Sequence, residues 1–378
     1  MSDVYITRIE KYLPNEPVPN DEMEMYLGKI NGNDSKSRGL ILRNNRIKSR
    51  YYALDKQGNI THTNAQLSAL AVKKVLNPDI DINEIDLLTA GTTSPDALQP
   101  AHALMVHGEL AAHPMETMSA HGTCNAGMLS LKYAYLAIKS GEVNRAVSVA
   151  SETMSSWMHA RNFQDEIDKR LEIEKNPYIA FEKDFLRWML SDGAAAALLC
   201  NKPETGKLSL RIEWIDVKSW AGELETCMYA GSAKSGDGRM VGWREMTNDQ
   251  RALESVFSLK QDAKLLQKHV IATGIKHLKL VLEKYRLDER EVDWFLPHLS
   301  SMFFRDQAVK GFEEANIRIP EEKWFMNLPY IGNVGAASAL LMLEEMYHTG
   351  KFQPGQRILV MVPESARFSY TYMLLTVV

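Results

Sequence analysis

The stretch Cys124-Asn-Ala-Gly-Met-Leu-Ser-Leu-Lys-Tyr-Ala-Tyr-Leu-Ala-Ile-Lys-Ser-Gly141 has a counterpart in Asn333-Val-Gly-Ala-Ala-Ser-Ala-Leu-Leu-Met-Leu-Glu-Glu-Met-Tyr-His-Thr-Gly350. Each opens on a turn of small residues and runs on with apolar side chains at three- and four-residue spacing. Each closes on glycine, the pattern of a helix with a defined start and stop. Cys124 to Gly141 is 17 positions, and Asn333 to Gly350 is also 17. Outward from these helices the match continues. The apolar runs Ala146-Val-Ser-Val-Ala150 and Ile358-Leu-Val-Met-Val362 follow them. Acidic turns leading into Glu84-Ile-Asp-Leu-Leu-Thr-Ala-Gly91 and Glu291-Val-Asp-Trp-Phe-Leu-Pro-His298 precede them, and both read as buried strands. Helical patterns stand further upstream, over Asn64–Leu76 and Ile271–Glu283.

A repeat of this length predicts a duplicated chain with two similar halves, each alternating strands with helices. The halves are residues 1–203 and 204–378, with a charged, largely helical-looking insertion at about 153–190 in the first. Cys124 and Asn333 fall at equivalent turn-to-helix junctions. His298 falls at a strand end. Pseudo-twofold symmetry would bring all three to the interface between the halves.

The chain's 378 residues suit two packed domains rather than one ordinary core. With 45% hydrophobic and 24% charged residues, the composition is that of a soluble globular protein. No apolar run reaches the length of a membrane span, and Met1-Ser-Asp-Val-Tyr5 does not open a secretory signal. A net charge of −4 argues against a general nucleic-acid binder. Three cysteines without C-x-x-C spacing make neither a disulfide framework nor a zinc site, so the expected compartment is the cytoplasm, with no metal bound. Cys200 and Cys227 carry no surrounding pattern and read as structural.

Cys124 sits where unpaired N–H groups and the helix dipole favour a thiolate, so a lowered thiol pKa is expected. A buried structural cysteine is the ordinary alternative. The junction position and its match in the second half tip the reading to a nucleophile. A neutral His298 imidazole and the Asn333 amide would together donate to a thioester oxygen and stabilise an enolate there. Taken singly, His298 reads as a core histidine and Asn333 as a helix cap. Glu152 and Glu116 are candidates for the base that removes an α-proton, with surface or capping roles as the alternative. Gly335 and the segment around Ser365 are candidates to help the Cys124 N–H hold an acyl oxyanion. Residues 35–50 carry Lys36, Arg38, Arg43, Arg46, Lys48 and Arg50 with no acid among them. By default they are a solvated face. They also fit a dock for phosphopantetheine or an acidic carrier, with Arg43 and Arg46 as contacts. Met154, Met158 and Met189 read as core packing or as the lining of an acyl tunnel.

Gly122-Thr-Cys-Asn-Ala-Gly127, Pro297-His298, Gly332-Asn-Val-Gly-Ala-Ala-Ser338 and Asp192-Gly-Ala-Ala-Ala-Ala197 resemble, in order, the signatures of the ketoacyl-acyl-carrier-protein synthase III family. The resemblance implies a thiolase fold in a five-layered αβαβα arrangement. It also implies a homodimer, an acyl thioester loaded on Cys124, and acyl carrier protein or coenzyme A as donor. Three features depart from the priming synthases, and the first is the charged insertion at about 153–190, where those enzymes are short. His298 is followed by Leu-Ser-Ser301, and Gln99 stands at the aromatic position of the loop that crosses the dimer.

Tyr12-Leu-Pro-Asn-Glu-Pro-Val18, Ser37-Arg-Gly-Leu-Ile-Leu-Arg-Asn-Asn45, Arg50-Tyr-Tyr-Ala-Leu54 and His298-Leu-Ser-Ser-Met-Phe-Phe304 are similar to the ketosynthase/cyclases of dialkylresorcinol and bacterial stilbene pathways. That resemblance implies condensation of a β-ketoacyl thioester with a second acyl thioester and closure to a 1,3-cyclohexanedione. No flavin or nicotinamide fingerprint accompanies it, so no cofactor is expected. The alternatives are a decarboxylating synthase fed by a malonyl donor, and a non-catalytic acyl-binding partner subunit.

Overall fold

The computed structural model describes residues 2–32, 34–35, 37–162 and 185–378. Most of the expected helical insertion, and Lys36 of the basic stretch, lie outside the described residues.

Among the described residues, nine strands join in one mixed sheet. In chain order they are β1 (Tyr5–Tyr12), β2 (Leu87–Thr92), β3 (Glu116–His121), β4 (Arg145–Glu152), β5 (Gly193–Cys200), β6 (Leu210–Ser219), β7 (Trp294–Pro297), β8 (Arg357–Glu364) and β9 (Ser369–Val377). Their spatial order is β7-β8-β9-β6-β1-β5-β4-β2-β3. The helices that matter here are α1 (Arg38–Asn45), α2 (Asn64–Leu76), α3 (His102–Leu110), α4 (Ala126–Ser140), α5 (Ala263–Tyr285), α6 (Met302–Glu314) and α7 (Ser338–His348).

The sheet divides at its middle. β1 and β6 meet through only two residue pairs, Tyr5 with Arg211 and Ile6 with Leu210. On each side the same series runs outward. In the first half β1, α2, β2, α3, β3, α4, β4 and β5 follow one another. In the second, β6, α5, β7, α6, a single parallel bridge from Phe295 to Trp324, α7, β8 and β9 follow in the same order. The period-2 pattern of each strand serves two apolar layers. In β4, Ala146 and Ala150 enter the layer around α4 and α7, while Val147 and Val149 enter the layer under α2. In β8, Ile358, Val360 and Val362 face the first of these layers, and Leu359 and Met361 face the layer under α5 and α6. Helices α4 and α7 thus lie between the two halves of the sheet, with α2 and α3 outside one half and α5 and α6 outside the other. This is the five-layered α/β arrangement of the thiolase fold.

Helix α2 spans the thirteen residues its periodicity predicts and is fixed at its start by a capping box between Thr63 and Gln66. Both repeat helices end within two residues of a glycine in the left-handed region, Gly141 at φ 86° and Gly350 at φ 68°. A fourth apolar cluster holds Met23, Leu27, Met154, Met158, Trp188 and Met189, so the three methionines considered for a tunnel pack as core.

Candidate active site

The two junctions are in backbone contact. A side chain at Gly127, in the first turn of α4, would lie 2.3 Å from the carbonyl oxygen of Ala336 and 2.7 Å from Ala150 Cβ. Only glycine lets the turn after Cys124 approach the turn after Asn333 this closely. Cys124, Leu296, Val334 and Ala337 belong to one apolar cluster. His298, following Leu296-Pro297 at the end of β7, lines a small void with Gly332 and Ser338, which flank the Asn333 turn. The three residues singled out by the repeat therefore gather between the halves.

Cys124 stands two residues before the first residue of α4 and is only 8% exposed. Its thiol is not activated as the helix end suggests. Burial pushes the thiol pKa up, and the charges of Glu364 and Glu152 push it further. Desolvation outweighs the helix-end effect, because an ion loses its water whereas the dipole supplies only partial charges. At rest Cys124 is a thiol.

His298 is 3% exposed, and burial lowers its pKa to about 4, so the imidazole is neutral at physiological pH. Its backbone N–H donates to Met361 on β8 at 2.8 Å. Its Nε2 has no hydrogen-bond partner among the described residues, a condition that suits a ring nitrogen awaiting a ligand. Asn333 does not cap α7, which starts at Ser338. Its Oδ1 accepts from the Gly335 N–H at 3.0 Å, which leaves Nδ2 as the donor end of the amide. Gly335 therefore spends its N–H on Asn333 and is not placed as an oxyanion donor. Its φ of +46° and the 2.6 Å that would separate its Cβ from Glu152 Oε1 explain the glycine.

Glu152 ends β4 fully buried, and its carboxylate is saturated. Oε1 accepts from Thr93 N (3.1 Å), Thr93 Oγ1 (2.5 Å) and Ala336 N (2.9 Å). Oε2 accepts from Thr92 Oγ1 (3.3 Å), Ser94 N (3.2 Å) and Ser94 Oγ (2.6 Å). Burial raises its pKa while these donors pull the other way. Six donors leave no lone pair facing a substrate, so the expectation of a base at Glu152 is corrected: the side chain ties the two halves together. Glu116 is exposed at the far end of β3 and accepts from Tyr133 Oη at 2.7 Å. Five residues of strand, roughly 17 Å, separate it from the Cys124 end.

Glu364, which the sequence reading passed over, ends β8 as Glu152 ends β4. It accepts from Thr123 Oγ1, from Ala366 N (2.9 Å) and from Ser369 N (3.2 Å). The signal was present in the repeat: both glutamates stand two positions after the matched runs ending at Ala150 and Val362. Ser365 is the next residue, so the Thr123 contact puts its turn beside the Cys124 loop. Asp192 is buried and accepts from Ala53 N at 2.7 Å and Ser155 N at 2.8 Å, with burial raising its pKa to about 6.

Gln99 is exposed on the β2–α3 loop next to Leu98 and takes no part in the hydrogen bonds around Cys124. Arg43 and Arg46 are exposed at the end of α1, where Arg46 pairs with Asp306 at 3.0 Å. The basic stretch is not one solvated face. Arg50 is fully buried, and Arg38 pairs with Glu24 at 2.8 Å.

Residues 282–374 match the C-terminal family of 3-oxoacyl-[acyl-carrier-protein] synthase III. Over 353 residues the chain is 24% identical to the β-ketoacyl-[acyl-carrier-protein] synthase III of Clostridium perfringens, covering 92% of each. The chain is thus similar, over most of its length, to ketoacyl-acyl-carrier-protein synthases III. Another such synthase, from Xanthomonas euvesicatoria, is 23% identical over 350 residues, 92% of this chain and 91% of the relative. Among solved structures, the tetronic acid condensing enzyme AbyA1 superposes with a TM-score of 0.77 at 18% identity, over 99% of both chains. Xanthomonas campestris OleA, crystallised with lauric acid and lauroyl-CoA, superposes at 0.74 with 18% identity over 99% of both. The chain shares the fold of these condensing enzymes along nearly its whole length. None of its described helices is long and apolar enough to cross a membrane.

Proposed function

We propose that this chain is a ketosynthase/cyclase. It joins a β-ketoacyl thioester to an acyl group carried on Cys124 and closes the product to a 1,3-cyclohexanedione, a precursor of dialkylresorcinols or stilbenes. The observation that carries the condensing chemistry is the buried Cys124 thiol gathered with a neutral His298 and the Asn333 amide. In the first step the thiol attacks the acyl thioester. The Cys124 S–C bond forms, the carrier C–S bond breaks, and the thiol proton leaves on the departing carrier thiol. The second thioester then places its carbonyl oxygen against His298 and Asn333 Nδ2, which stabilise the enolate.

Two carbonyls acidify the α-hydrogens of a β-ketoacyl donor, so a weak base suffices. With both neighbouring carboxylates held in hydrogen bonds, the His298 imidazole is the group left to accept that proton. When the acyl group on Cys124 is α,β-unsaturated, the carbanion adds to its β-carbon. The carbon beyond the donor's ketone then attacks the Cys124 thioester, closing the six-membered ring as the S–C bond breaks, and His298 returns the protons to the acyl α-carbon and the sulfur. The product assignment rests on the resemblance of the segments around Tyr12, Arg50 and His298. The duplicated halves 1–203 and 204–378, a cytoplasmic homodimer, and docking of a carrier protein or coenzyme A near Arg43 and Arg46 belong to the same reading. Gln99 at the dimer seam and the Ser365 turn as an oxyanion neighbour complete it.

The names of the curated relatives favour a second reading, a synthase that decarboxylates a malonyl donor. Product analysis separates the two. An α,β-unsaturated acyl thioester and a β-ketoacyl thioester supplied without malonyl donor give a cyclic diketone and no CO₂ on the first reading. A linear β-ketoacyl product formed only with malonyl donor overturns it.

A further inference from the structure

The neighbours of Cys124 on both sides reach across to the other half. Thr123 Oγ1 donates to Glu364 at the end of β8. Asn125 Nδ2 donates to Ser369 Oγ at 3.0 Å, and its Oδ1 accepts from Thr371 Oγ1 at 2.6 Å. Asn125 is the residue before α4, yet its side chain makes no cap bond to that helix. The side chain is spent on the β8–β9 hairpin instead. Glu364 in turn gathers the hairpin turn through the backbone N–H groups of Ala366 and Ser369. The equivalent arrangement runs the other way at Glu152. That carboxylate gathers Thr92, Thr93 and Ser94 of its own half and accepts from Ala336 N of the other, three residues after Asn333.

We propose that Glu364 is a positioning residue for the nucleophile, holding the Cys124 turn from the opposite half through Thr123, just as Glu152 holds the Asn333 turn. The two strand-end carboxylates brace the catalytic turns crosswise. The thiol is thereby fixed against His298 and Asn333, which ride on the half that Glu364 belongs to. A second consequence is electrostatic. The Glu364 carboxylate is the largest charge acting against ionisation of the Cys124 thiol, ahead of Glu152. Burial does most to keep the thiol protonated, and the brace that aims the sulfur adds its charge to that, further protecting the thiol from alkylation and oxidation while the site holds no thioester.

The inference rests on Cys124 being the acyl acceptor, and its test uses a readout that does not need acyl transfer. Alkylation of Cys124 by iodoacetamide is followed against pH by peptide mass spectrometry, with Cys200 in the same protein as the internal control. Glu364→Gln keeps the shape of the side chain and removes its charge. At a fixed pH of 8 it is expected to raise the Cys124 alkylation rate about tenfold and leave that of Cys200 unchanged. Acyl loading from a short acyl thioester is expected to slow about tenfold in Thr123→Val and to recover in Thr123→Ser, which restores the hydroxyl. The Thr123 pair keeps the test open if Glu364→Gln fails to fold. An unchanged Cys124 alkylation rate in folded Glu364→Gln, or equal loading by Thr123→Val and wild type, overturns the inference. A wild type that takes no acyl group at all overturns the acyl-acceptor reading instead, whatever the alkylation profiles show.

Discussion

Burial holds Cys124 and His298 in their uncharged forms, and the proposed chemistry starts from that pair. A neutral imidazole donates or accepts one proton without first discharging a cation. With its pKa near 4, His298 does not change charge between pH 8 and pH 5. The condensation rate is therefore expected to show no limb near pH 6.5 that His298→Ala removes. Removing either donor, in His298→Ala or Asn333→Ala, is expected to slow condensation by about 10²–10³-fold. The Cys124 acyl adduct should survive in both variants, as read by intact mass and product yield.

The same burial has a cost in acid. The folded pKa of His298 lies below the unfolded one, so the unfolded chain takes the proton first as pH falls. Stability from this residue is fully present above pH 6.5 and is lost between there and about pH 4, by about 2 kcal/mol at pH 5. Urea unfolding at pH 7 and pH 5 checks this, and His298→Asn is expected to narrow the difference between the two.

At the scale of elements, the site depends on two turns approaching without side chains between them. Gly127→Ala would drive a methyl into Ala336 and Ala150, and is expected to cost about 3 kcal/mol of stability and most condensing activity. Thermal unfolding beside an activity assay measures both; an unperturbed variant would mean that the junctions do not touch. These turns were legible in the sequence because the helix, glycine and strand spacings repeat, and spacing alone fixes which elements are equivalent. What spacing does not encode is who donates to whom. Glu152 reads as a base until its six donors are seen. Glu364 was equally visible in the repeat but had no partner to give it meaning before Thr123 was found beside it. Cys124 reads as an activated thiol from its place before α4, and only its depth reverses that. Arg50 reads as solvated because its neighbours in sequence are, although it points under Trp188, to whose carbonyl its Nη2 donates at 3.5 Å.

At the scale of the whole molecule, β3 is an edge strand of the sheet among the described residues. Exposed Leu98, Leu104, Tyr133 and Leu136 cluster on the loop and helices beside it. An apolar rim around an edge strand suits pairing with a second copy. The protein is expected to sediment as a pair of chains and Leu136→Asp to shift it towards single chains; a wild type that sediments as one chain at micromolar concentration would remove the dimer from the reading. The measurement that bears most directly on the central claim is intact-protein mass spectrometry of wild type and Cys124→Ala after incubation with short acyl and β-ketoacyl thioesters. Wild type is expected to gain the mass of one acyl group and Cys124→Ala none. An equal adduct on Cys124→Ala, or no adduct on wild type from any donor, would contradict the assignment of Cys124 as the nucleophile of a condensing enzyme.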